Sequence, residues 1–528
     1  MDYYISVALI GISAALAAAC CLPTLKILQL SGYHSRGVLG FWKATHCEGL
    51  VRYCALTMLG AIAVAIYVGC FGTFEYARYC AVATFSALEI VFIVAVKKNG
   101  DTDIKATPRM VRLIVLSAAL ILALSAGAAW AAYYDPFCQI VATAIGIFLP
   151  FVVLAANTLL LPFEKLNNGR FVKQAKKKLA DKKPIVVGIT GSFGKTTAKN
   201  ILKAILEKKY SVCATPGNYN TPMGICKTVN GMLADEQVFI VEMGARYKGD
   251  IAELCAIVEP HYGIITAVGD MHIATLGSRE GVANVKFELA EHADADGLVA
   301  LNGYNSDCAE LAARTAKCAI ECTGDGTRVR YENLTYGAFG AKFTLYIDGQ
   351  SVEVTTKLLG AHIPELVCVC AAIARELGVE IESIADAVSA LAPVEHRLQL
   401  LQEHAGVSVI DDAYNSNPVG AKNALDVLGA FDGTRIIITP GFVELGAIEK
   451  QCNTALGAQI AEKCDYAFLV GSRATDIKNG AISAGMAEKK IRVFDKRDDA
   501  VSALAELPNT ENAERIVLFE NDLPDNIK

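Results

Sequence analysis

The chain has 528 residues, 53% of them hydrophobic, a formal net charge of -6 and a mean hydropathy of +0.36. That length exceeds one ordinary core, and that hydropathy exceeds what a purely soluble chain carries. The acidic balance excludes the basic footprint of a nucleic-acid partner. Seventeen cysteines are spread without a Cys-x-x-Cys pair, which argues against a zinc ribbon or a thioredoxin-like redox motif. Cys368 and Cys370 flank one valine in an apolar helical run and read as core.

Five apolar stretches precede Pro184: Tyr4 to Leu22, Val51 to Phe71, Cys80 to Val96, Leu113 to Tyr133 and Ile140 to Leu161. Each approaches the ~20 residues a helix needs to cross hydrocarbon, so residues 1–163 are expected to form a membrane helical bundle. Lys and Arg gather in alternate loops, and a basic run from Lys165 to Lys183 follows the last stretch. Cationic loops stay in the cytoplasm, so the expectation is a multi-pass protein of the cell membrane. Its N-terminus would lie outside and everything after Leu161 would be cytoplasmic. Residues 164–183 then read as a basic juxtamembrane linker.

Beyond the linker, Ile185 to Ile189 reads as a buried strand, and Thr197 to Lys208 has helical apolar spacing. Between them stands Gly191-Ser192-Phe193-Gly194-Lys195-Thr196-Thr197. Glycines there let backbone N–H groups close around a phosphate, and the helix N-terminus adds its dipole. Lys195 neutralises charge and Thr196 can reach Mg²⁺. The strict Walker spacing would place glycine at position 189, which is isoleucine.

This short phosphate loop resembles the ATP loop of the Mur ligase family, and further matches follow in order. They are Thr215-Pro216-Gly217-Asn218-Tyr219-Asn220-Thr221, then a strand ending at Glu242, then Asp270-Met271-His272 and the Gly281 to Glu288 segment. The resemblance implies that Gly191, Ser192, Gly194, Lys195, Thr196 and Thr197 hold ATP, with Asn302 and Asn305 on its adenine side. It also implies two Mg²⁺ ions, held through Thr196, Glu242 and His272. Lys286 would be carbamylated by CO₂ into a further ligand for the second ion.

Thr327 to Leu359 turns strand-like. His362 follows, although Ile363 and Leu366 stand where the family has asparagines. Glu395-His396-Arg397-Leu398 resembles the junction into the family's last domain, where Arg397 would reach the nucleotide phosphates. Val409-Ile410-Asp411-Asp412-Ala413-Tyr414-Asn415-Ser416-Asn417-Pro418 resembles the MurF type, as does Glu444-Leu445-Gly446. Asp411 and Asn415 would then bind the nucleotide, and Lys195, Lys286, Arg397 and His272 would carry catalysis.

The implied architecture is a central α/β phosphate-loop ATPase domain over residues 184–394 and a Rossmann-like C-terminal domain over 395–528. The implied activity is an ATP-dependent amide ligase of cell-wall peptidoglycan precursor synthesis. It joins an amino acid or dipeptide, such as D-alanyl-D-alanine, to a muramyl peptide or similar carboxylate acceptor. Membrane helices stand where the family has its uridine-nucleotide-binding domain, which points to membrane lipid as a partner and to a lipid-linked acceptor. Two alternatives are a related ligase such as a poly-γ-glutamate synthase, and a transport or signalling ATPase. The second would turn over ATP without joining an acid to an amine.

Overall fold

A computed structural model describes residues 21–44, 104–134, 137–233, 235–314, 318–404, 407–413, 417–443, 445–507 and 514–521. Contacts divide the chain into two units, Met1–Asn168 and Gly169–Lys528.

In the first unit the described helices are α1 (Leu22–Leu30), α2 (Ser35–Ala44), α3 (Pro108–Tyr134) and the start of α4 (Phe137–Lys182). Leu25, Leu28, Met110, Leu113, Val153 and Ala156 pack into one apolar cluster. Gln29 exchanges hydrogen bonds with the backbone of Lys105 (2.6 and 2.9 Å). Arg112 clamps the buried Glu164 carboxylate with two N–H donors at 2.8 and 3.0 Å, the bidentate geometry that guanidinium favours.

The apolar runs at Val51 to Phe71 and Cys80 to Val96, and most of Tyr4 to Leu22, lie outside the described residues. Among the described residues, one helical stretch, Phe148–Lys182, is long and apolar enough to cross a membrane. The expected multi-pass localisation in the cell membrane is therefore corrected, and the lipid-linked acceptor that rested on it is not carried forward. Composition does not distinguish helices that face lipid from helices that face one another: Leu25, Leu28, Met110, Leu113, Val153 and Ala156 are buried between α1, α3 and α4, whereas Val115, Trp130, Leu159 and Leu166 remain exposed.

The second unit holds two parallel sheets. The first has the order β2-β3-β1-β4-β5-β6. Its strands are β1 (Ile185–Thr190), β2 (Val212–Ala214), β3 (Val238–Glu242), β4 (Tyr262–Ile265), β5 (Leu298–Asn302) and β6 (Ala319–Thr323). All neighbours run parallel. Both faces are covered, so β3 and β5 are apolar and buried along almost their whole length. One face packs on α5 (Lys195–Leu206) and α8 (Ile363–Glu376) through Ile201, Leu202, Val367 and Ile373. The other packs on α6 (Arg279–His292) through Val282, Val285 and Leu289. Helix α7 (Ser306–Leu311) follows β5.

The segment expected to be strand-rich forms the antiparallel meander β7 (Val329–Gly337), β8 (Gly340–Ile347) and β9 (Gln350–Thr356). The second large sheet has the order β10-β11-β15-β12-β13-β14. It comprises β10 (Gln399–His404), β11 (Val407–Asp412), β12 (Thr434–Thr439), β13 (Tyr466–Val470), β14 (Ile491–Phe494) and β15 (Arg515–Glu520), with α9 (Pro418–Gly429) after β11. Only the edge strand β10 runs antiparallel. In each sheet the polar loops gather at the carboxyl ends of the parallel strands, where open α/β folds place their ligands.

Candidate active site

The central strand β1 ends at Thr190, and the chain turns at once into the glycine loop. Gly191 has φ +151°, and a Cβ there would fall 2.0 Å from Thr266 Oγ1 and 3.0 Å from the Ala267 nitrogen. The backbone passes too close to the end of β4 for any side chain. Ser192 fastens the loop further: its N–H donates to Ala267 O (2.7 Å), and its hydroxyl accepts from Gly269 N (3.0 Å). Gly194, at φ +79°, caps α5 and lies against Leu366. Leu366 thus packs on the loop with apolar contact where the family carries an asparagine. Thr197 is buried in the first turn of α5.

Lys195 curls over this loop, donating to Gly191 O (2.6 Å) and Ser192 O (3.3 Å). Burial lowers its pKa to about 8; Glu242 opposes that shift and Arg397 adds to it. At neutral pH it remains a cation poised at the mouth of an anion cradle. Thr196 donates its hydroxyl to Glu242 Oε2 at 3.0 Å. The same carboxylate oxygen accepts from Lys199 at 2.9 Å, and Oε1 faces Asn220 Nδ2 at 3.3 Å. Thr196 and Glu242 thus set a hydroxyl and a carboxylate side by side, oxygen donors of the kind that Mg²⁺ takes. Among the described residues no group of three or more His, Cys, Asp and Glu side chains converges.

Lys286 is buried on α6. Its pKa falls to about 7, chiefly through desolvation, then through the Lys195 charge, with Asp250 and Glu288 pulling the other way. The two ammoniums therefore share one electrostatic neighbourhood. Glu288 accepts from the backbone N–H groups of Gly249 (2.8 Å) and Ala252 (3.0 Å). His272 stands half-buried at the head of a short helix with φ +61°. Its carbonyl accepts from Thr275 N at 3.0 Å.

At the end of β5, the Asn302 amide donates to Thr266 O and to Glu365 Oε2, both at 3.0 Å, and accepts from Tyr304 N at 3.1 Å. Asn305 caps α7 through Cys308 N and also accepts from Val268 N (3.2 Å). It thereby pins the segment after β4.

The second sheet contributes the ends of β11 and β15. Asp411 meets His396 Nδ1 at 2.7 Å, and Asp412 accepts from Leu398 N at 3.2 Å. Between those partners lies Arg397, flanked by two residues held at φ +56° and +47°, a conformation that is strained for leucine. Arg397 acts electrostatically on both Lys195 and Asp412, which sets it between the two halves of the site. Asn415 and Glu444 lie outside the described residues. Asn417 caps α9 through Val419 N and Gly420 N. His362, whose pKa burial lowers to about 4, has Nδ1 3.5 Å from Asn423 Nδ2.

Sequence reasoning missed Lys199, Glu365 and Glu520. Lys199 carried one legible signal: it falls four residues after Lys195, on the same face of α5. Glu520 is fully buried at the end of β15 beside Asp412 in the sheet register. Thr439 Oγ1 donates to it at 2.5 Å. Burial, with a smaller contribution from Asp412, raises its pKa from 4.5 to about 8. Asp412 is likewise raised, to about 6.

The folded state therefore holds protons that the unfolded chain releases, so stability falls as pH rises from about 4.5 through 8. We expect Glu520→Gln to reduce the loss of stability between pH 5 and pH 8 by roughly 1–3 kcal/mol, as measured by urea unfolding at the two pH values. An unchanged slope would remove Glu520 from the account.

Residues 189–374 match the family described as the Mur ligase middle domain. Residues 396–519 match the one described as Mur ligase, glutamate ligase domain. A UDP-N-acetylmuramoyl-tripeptide–D-alanyl-D-alanine ligase of Bacillus subtilis is 30% identical over 318 residues, 59% of this chain and 68% of that protein. The Mycobacterium tuberculosis enzyme of the same name is 35% identical over 250 residues, 46% of this chain and 48% of its own length. The chain thus spans about two thirds of the first relative and about half of the second. A crystal structure of MurF from Acinetobacter baumannii superposes with a TM-score of 0.62 at 26% identity, covering 67% of this chain and 77% of that one. The chain belongs to the Mur ligase family, as an ATP-dependent, amide-bond-forming ligase of the MurF type.

Proposed function

We propose that this ligase joins D-alanyl-D-alanine, or a similar amine, to the terminal carboxylate of a nucleotide-linked muramyl tripeptide in peptidoglycan precursor synthesis. The observation that carries this reading is the junction of the phosphate loop with Glu242, through Thr196, in a chain whose relatives bear the name of that reaction. Residues 184–394 are assigned to nucleotide binding and residues 395–528 to the half that closes over it. Because the family joins acids to amines, the transport or signalling alternative is set aside.

The chemistry begins when an acceptor carboxylate oxygen attacks the γ-phosphorus of ATP, so that the bridging P–O bond breaks and ADP leaves. The amine nitrogen then attacks the acyl carbon, phosphate departs and a proton is lost. No protein nucleophile is needed; catalysis is positioning and charge neutralisation. Backbone N–H groups of the Gly191 loop and the α5 N-terminus cradle the phosphates. Lys195 supplies positive charge as charge builds on the leaving ADP, and Arg397 approaches from the second sheet. Glu242, Thr196 and His272 would hold Mg²⁺, which supplies Lewis-acid stabilisation of the phosphoryl oxygens when bound.

Lys286 deepens this reading. With a pKa near 7, a large fraction of its amine is neutral at physiological pH. A neutral amine can add to CO₂ and shed a proton, becoming a carbamate with oxygens suited to a second Mg²⁺.

The test is an assay of purified protein with ATP, Mg²⁺, UDP-linked muramyl tripeptide and D-alanyl-D-alanine. Formation of ADP, phosphate and the amide product, dependent on all three substrates, is expected. ATP turnover that is indifferent to the dipeptide would overturn the proposal.

A further inference from the structure

We infer that Lys199 is a positioning residue for the nucleotide-linked metal: it fixes Glu242 and the 215–221 loop against the phosphate loop. This rests on the reading of Glu242 as a metal ligand. Lys199 is only 3% exposed, and an ammonium removed from water in that way needs fixed partners. It has two, Glu242 Oε2 at 2.9 Å and Gly217 O at 2.6 Å.

The first contact fixes the aim of the carboxylate. Glu242 is itself buried, and Lys199 shares its Oε2 with the Thr196 hydroxyl. The oxygen that Thr196 touches is therefore held toward the phosphate loop. The second contact ties in the loop between β2 and the next helix. That loop is fastened to the same strand end by Thr215, which accepts from Glu242 N (3.0 Å), and by Asn220, whose carbonyl accepts from Gly244 N (3.1 Å). A surface lysine on α5 would do none of this. One ammonium joins three separate segments of the chain.

A group that orients a ligand without contacting the ion typically changes metal affinity by roughly 10–100-fold. The experiment is calorimetric titration of ADP into wild-type protein, Lys199→Gln and Lys199→Met, first in EDTA and then at stepped Mg²⁺ concentrations. Each titration is run well below that variant's Tm. The glutamine variant keeps a donor for Gly217 O and carries the test if the methionine variant fails to fold.

The expected result is that the Mg²⁺ concentration giving half of the Mg²⁺-dependent gain in affinity rises at least tenfold, while ADP affinity in EDTA stays within twofold. An unchanged Mg²⁺ requirement would overturn the inference. So would an equal loss of ADP affinity with and without Mg²⁺, which is the signature of a merely structural lysine. Glu242→Gln is run alongside. If it too leaves the Mg²⁺ requirement unchanged, the metal-ligand reading of Glu242 fails. If it shifts that requirement and Lys199→Gln does not, only the role of Lys199 fails.

Discussion

Lys195→Ala is expected to lower product formation by roughly 10³-fold or more, the scale on which removing a cation from a transferring phosphoryl group acts. ADP release and amide formation should fall together, because the charge is needed before the two steps diverge. The fold should persist. Among the described residues Lys195 donates to carbonyls of its own loop, and removing it leaves Glu242 with Lys199, Thr196 and Asn220. No buried carboxylate is stranded, so Tm should move by only a few degrees. Turnover within tenfold of wild type, in a variant that melts normally, would mean that the phosphate loop has been misassigned.

The second large effect is expected at Lys286. Lys286→Ala should reduce turnover by roughly 10²–10³-fold, since it removes the only amine on α6 able to become an oxygen ligand beside Lys195. Added acetate or formate should restore part of the activity by occupying the vacated volume with a carboxylate. Lys286→Arg should show no such rescue, because a guanidinium fills the space and stays charged at any accessible pH. Full activity of Lys286→Ala without added carboxylate would exclude Lys286 from the site. Loss without rescue, while ADP affinity is retained, would leave it a structural lysine.

Both candidates stand out in the sequence, but for different reasons. The phosphate loop is a local object: a buried strand, glycines at φ +151° and +79° and a helix N-terminus all lie within a dozen residues, so their chemistry follows from order along the chain. Lys286 lies about ninety residues from Lys195, and only its resemblance to a family segment marked it. Its desolvation, and the Lys195 charge that it feels, come from the packing of α6 on the sheet.

The same boundary between local and tertiary information explains what was missed or misread. Glu520 pairs with Thr439, 81 residues away, and stands beside Asp412 only because β15 inserts between β11 and β12. Nothing in Leu518-Phe519-Glu520 hints at a carboxyl group held largely protonated. Lys199 shows its helical phase to Lys195 in the sequence, yet it meets Glu242 only because β3 lies next to β1 in the sheet. In the N-terminal unit apolar length was read as five membrane spans, yet length and composition do not tell which apolar residues are buried between α1, α3 and α4 and which stay exposed. Local chemistry therefore determined the glycine loop and the α/β pattern. The partners of buried charges and the surroundings of apolar helices were decided by tertiary packing, because desolvation and pairing depend on which distant segments come to lie side by side.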